Sequence, residues 1–69
     1  MLISRIIDHR GIKMIWLADQ LGISHSHLSR LLSGEREWSA DLRREAARIL
    51  MLPEEVLFLP DPVQSIERE

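Results

Sequence analysis

The stretch from Leu17 to Gly34 reads Leu-Ala-Asp-Gln-Leu-Gly-Ile-Ser-His-Ser-His-Leu-Ser-Arg-Leu-Leu-Ser-Gly, and few folds accommodate it. Gly22, just past Leu21, suits the left-handed position that ends a helix, and Ser24 two residues on is a favoured N-cap. One helix therefore stops and another starts within a few residues. At about 100° per residue, Met14, Leu17, Ala18 and Leu21 share one side of the first helix, and Leu28, Leu31 and Leu32 one side of the second. The two apolar stripes can close on each other. What remains outward on the second helix is an arc of His25, Ser26, Ser29, Arg30 and Ser33, all able to hydrogen-bond and none too bulky to approach the floor of a groove.

Length narrows the alternatives further. A chain of 69 residues makes one small domain with a single core and little room for a catalytic cleft. With no cysteine, neither a disulfide framework nor a thiolate zinc site is available. The first residues, Met-Leu-Ile-Ser-Arg-Ile-Ile-Asp, are too short an apolar run and too charged for a signal peptide or membrane span. We therefore expect a soluble, cytoplasmic protein. The formal net charge of -2 argues weakly against a polyanionic partner, but the average hides a split. Residues 1–52 carry eight Lys and Arg against six Asp and Glu, whereas residues 53–69 carry Arg68 against Glu54, Glu55, Asp61, Glu67 and Glu69. The acidity lives in the C-terminal segment.

Every apolar cluster has spacing of three and four, which predicts five helices and no strand, an all-α class. Helix 1 is expected over about 2–10, burying Ile3, Ile6 and Ile7 and ending at Gly11. Helix 2 is expected over about 14–21 and helix 3 over about 25–33, ending at Gly34. Helix 4 starts from a Ser39 cap with Asp41 in its first turn and sets Leu42, Ala46, Ile49 and Leu50 on one face. Pro53 with Glu54 and Glu55 opens a short fifth helix through Val56, Leu57 and Phe58, before Pro60 and Pro62. The expected organisation is a domain over 1–59 and an acidic, proline-containing tail over 60–69.

The pattern Gly11-Ile12, Leu17-Ala18, Leu21-Gly22-Ile23-Ser24, a helix after it and a closing Gly34 resembles the Cro and phage-repressor type of helix-turn-helix domain over about residues 2–58. The resemblance implies a compact, five-helix, lambda-repressor-like fold. It also implies sequence-specific binding of double-stranded DNA, usually by a symmetric homodimer that regulates transcription, often in phages and other mobile elements. Carried over position by position, base contacts fall on His25, Ser26 and Arg30, with Ser29 nearby. Phosphate contacts fall near Lys13, Ser24 and the loop after Gly34, where Arg36 lies; Arg10 and Arg43 are further candidates. The chain departs from the pattern in three places. Met14 stands where relatives often carry a glutamine, and Glu35 and Glu37 stand in a loop that is commonly basic. Ile7 and Leu32 occupy the positions of a buried ion pair, an exchange that is often neutral or stabilising by about 1 to 4 kcal/mol, and predict a direct contact.

Other chemistry is weakly supported. His25 and His27 lie about 200° apart on a helix and cannot chelate one metal as an i, i+4 pair would. The serines lack the ordered base and oxyanion donors that a nucleophile needs, so no enzyme, metal or cofactor is expected. Ile15 and Trp16 lie off the core arc of helix 2, and Trp38 precedes helix 4. Ile15 is expected to fold back over the core edge. Trp16, Trp38 and the apolar run Leu57, Phe58 and Leu59, with Val63 and Ile66, are candidates for a dimer or partner interface. The leading expectation is a transcriptional regulator, a repressor, that inserts helix 3 into the major groove. The alternative is a protein-interaction module, such as an antagonist or antitoxin-like subunit, that keeps the fold without strong DNA binding.

Overall fold

The computed structural model describes residues 1–60, and within them all regular structure is helical. Helix α1 spans Leu2–Arg10, α2 Met14–Leu21, α3 His25–Ser33, α4 Ala40–Leu50 and α5 Glu54–Leu57. Residues 61–69, including Val63, Ile66 and most of the expected tail, lie outside the described residues.

Local chemistry explains the helix ends. Gly22 adopts φ 73°, a left-handed conformation that costs an L-residue with a Cβ but not glycine, and its N–H closes back onto α2. Two residues later Ser24 caps α3, its Oγ accepting from the His27 N–H at 3.0 Å. Ser39 does the same for α4, accepting from the Leu42 N–H at 3.1 Å. The C-terminus of α4 has no glycine. Met51 takes the left-handed position itself, at φ 61°, with its side chain 85% exposed. The Leu52 N–H then donates to the Ala47 carbonyl at 3.1 Å, and Leu52 packs against the core from one side.

All five helices contribute to one core. Ile3 and Ile7 come from α1, Leu17, Ala18 and Leu21 from α2, Leu28 from α3, Ala46 and Leu50 from α4, and Leu57 from α5. Leu31 of α3 is also fully buried. Helix α2 packs against α3 and α4, while α5 joins α1 to α4. Ile6, expected inside, is only half-buried at the core edge, because α1 turns Ile3 and Ile7 inward and leaves Ile6 on the flank. One interface expectation needs correcting. Leu57 is 0% exposed: the face of α5 that sequence left open to a partner is filled by α1 and α4 of the same chain. Phe58 is half-buried beneath Trp38, with ring centroids 5.0 Å apart in an edge-on arrangement, so these two aromatics cover one another.

Candidate nucleic-acid interface

Leu28 and Leu31 point α3 into the core and thereby fix which side faces out. The outward side carries His25, Ser26, Ser29, Arg30 and Ser33, all exposed, so the expected arc is free of the rest of the described chain. His27, between them in sequence, is half-buried at the inner edge. Ser33 is partly occupied: its hydroxyl donates to the Arg30 carbonyl at 3.1 Å and to the Glu35 carboxylate at 3.4 Å. Four side chains, His25, Ser26, Ser29 and Arg30, therefore stand on one helical face with no side-chain bond to another described residue.

The arginines and lysine divide into two groups. Arg44 pairs with Asp41 at 3.4 Å and Arg48 with Glu45 at 2.6 Å, both across one turn of α4. The hydrogen bond and charge of Glu45 hold the Arg48 guanidinium above its ordinary pKa. Arg43 lies over the Phe58 ring, 5.9 Å from its centroid, and Arg5 also has a partner. Arg10, expected near phosphate, instead sends Nη1 to the Leu50 carbonyl at 2.8 Å, where a cation satisfies the end of α4. That leaves Lys13, Arg30 and Arg36 as the described cations without an ion pair, side-chain hydrogen bond or ring contact. All three sit on or immediately beside the α2–α3 pair: Lys13 just before α2, Arg30 on the outer arc, Arg36 two residues past Gly34.

Helix α2 offers a further feature for an anion. Its N-cap, Lys13, makes no side-chain cap bond, so the N-cap side chain satisfies none of the first-turn N–H groups. Ser24, by contrast, spends its hydroxyl on capping α3. Opposing these, Glu35 and Glu37 are exposed in the turn after α3 and lower the local positive potential.

Other expected sites resolve differently. Trp16 is 48% exposed, and Ile15 is 69% exposed rather than folded over the core. Helix α2 turns Leu17, Ala18 and Leu21 inward and leaves Ile15 on an exposed flank. Leu59 is also exposed, its carbonyl accepting from the Leu2 N–H at 2.9 Å. Ile7 and Leu32 line one groove of about 310 Å³ together with Ile12 and Met14, so these two apolar side chains border the same space. Among the described residues no group of His, Cys, Asp and Glu could hold a metal, and no helix is long and apolar enough to cross a membrane. No family model, curated protein or solved structure matches the chain.

Proposed function

We propose that this chain is a sequence-specific DNA-binding transcriptional regulator of the Cro and phage-repressor type, with α3 as the helix that enters the major groove. The observation that carries this reading is the coincidence of two patterns. Arg30 on the exposed polar arc of α3, Lys13 just before α2 and Arg36 just after α3 are the cations that no partner among the described residues neutralises. Arg30 presents the bidentate fork that suits the O6 and N7 acceptors of guanine, while His25, Ser26 and Ser29 hydrogen-bond to neighbouring edges. Lys13, Arg36 and the uncapped start of α2 hold phosphates and set the register. In a two-fold homodimer the two copies of α3 would meet half-sites about 34 Å apart, one turn of duplex.

Selection of genomic fragments over a salt series tests the proposal. Affinity falls steeply with salt if phosphates are neutralised, and Arg30→Ala costs about 1–3 kcal/mol and relaxes preference at one base pair. Arg44→Ala, which removes a cation already paired with Asp41 on α4, leaves binding nearly unchanged. Failure to retain any fragment at low salt overturns the reading.

One observation favours a second reading, a protein-interaction module. Ile15 and Trp16 are neighbours in sequence and both exposed on α2, where a tryptophan can anchor a partner. Trp16→Ser separates the two. It abolishes partner capture in that reading and leaves the salt-dependent duplex binding of the first intact.

A further inference from the structure

The linker between α3 and α4 borders a groove of about 340 Å³, lined by Gly34, Arg36, Trp38, Arg43 and Phe58 together with Met1. That volume lies at the lower end of the range for small-molecule sites, about 300–1,000 Å³. Three observations give the groove its chemistry. The first is charge: Arg36 and Arg43 are both exposed, and neither has an ion pair among the described residues, while Glu37 is the one carboxylate on the lining. The second is an aromatic wall. Trp38 and Phe58 meet edge-on, and the Arg43 guanidinium lies 5.9 Å from the Phe58 centroid, so the rings and one cation already hold each other in place. The third is a spare donor: the Trp38 indole Nε1 is buried and has no hydrogen-bond acceptor among the described residues.

We propose that this groove binds a small organic carboxylate with a flat apolar body. The carboxylate pairs with the Arg36 guanidinium, whose planar fork suits two carboxylate oxygens, and the body lies against Trp38 and Phe58. A carboxylate oxygen is also the kind of acceptor that the indole N–H lacks. Arg36 is the main anchor, because Glu54 and Glu55 line a second groove with Arg43 and offset part of its charge. An inorganic anion would engage the guanidinium groups and leave both rings unused; a neutral aromatic would leave the charge unused. The site stands independently of the DNA reading, which claims Arg36 for a duplex phosphate.

The test is an NMR titration of the full chain at constant ionic strength with benzoate, its neutral isostere benzamide, and sulfate. Trp16→Phe assigns the Trp38 indole N–H. Benzoate is expected to move that resonance and the Gly34 and Arg36 amides saturably, and to do so more tightly than either benzamide or sulfate. Arg36→Gln weakens benzoate by about three- to tenfold, Arg36→Lys keeps part of the affinity, and Arg44→Gln on α4 leaves it unchanged. Equal binding of benzoate and sulfate overturns the proposal, since charge alone then suffices, and so do shifts that never saturate or that Arg36→Gln leaves as they were. A duplex titration separates the two readings. Saturable benzoate binding without any duplex binding upholds the groove and rejects the DNA reading. A Trp38 resonance moved by duplex but not by benzoate assigns the groove to backbone phosphate and overturns the proposal.

Discussion

Single residues carry the sharpest departures from simple rules, and Met51 is the clearest. It holds a left-handed backbone conformation at φ 61° with a side chain 85% exposed, so little packing offsets the strain. Three glycines end α1, α2 and α3 in the same conformation, where no Cβ is in the way. The penalty for an L-residue in that region is roughly 1–2 kcal/mol, against an unfolded-state cost for glycine of roughly 0.5–1 kcal/mol. Met51→Gly therefore raises stability by a few tenths to about 1 kcal/mol. Thermal melting of the two proteins checks it: a lower midpoint for the glycine variant means the methionine side chain contributes packing that its exposure does not suggest. At Leu57 the same kind of local inspection misled. An apolar residue on a four-residue helix reads equally as core or as seam, and only the positions of α1 and α4 decide between them.

At the scale of elements, the helix boundaries were legible because stop and start signals stand in the chain itself. Gly11, Gly22 and Gly34 mark three ends, Ser24 and Ser39 mark two beginnings, and each behaves as its chemistry dictates. The outward arc of α3 was legible for a related reason: Leu28 and Leu31 leave one side free whatever they pack against. The end of α4 and the partnering of the arginines were not. A non-glycine left-handed cap has no sequence signal, and whether Arg10 reaches Leu50, forty positions away, depends on how α1 meets α4. The caps invite a direct test on α3, a nine-residue helix too short to persist without help. Ser24→Ala removes the acceptor of the His27 N–H and costs about 1 kcal/mol. Amide exchange then rises in the first turn of α3 before it rises in α1 or α4. Equal acceleration in all helices would mean that α3 unfolds only with the whole domain, and that the surface it presents is rigid.

The whole molecule is small enough that one contact can decide whether it folds. At roughly 0.05–0.15 kcal/mol per residue, a chain of 69 residues has a total stability of about 3–10 kcal/mol. Truncating a fully buried leucine costs about 2–5 kcal/mol, a large share of that total. Leu57 is the sharpest case, since it is the one buried residue of α5, the helix through which α1 and α4 are joined, and the nearby Leu59 carbonyl holds the start of α1 through the Leu2 N–H. Leu57→Ala is therefore expected to unfold a measurable fraction of the protein at room temperature, and to lower the urea midpoint without changing the slope. Leu59→Ser, close in sequence but exposed, serves as the control and changes stability by less than about 0.5 kcal/mol in a monomer. If Leu59→Ser instead lowers the midpoint in a concentration-dependent way, the exposed end of the domain is covered in solution by a second copy, since only association makes unfolding depend on protein concentration. The two variants thus separate the core that one chain builds for itself from any surface that it shares.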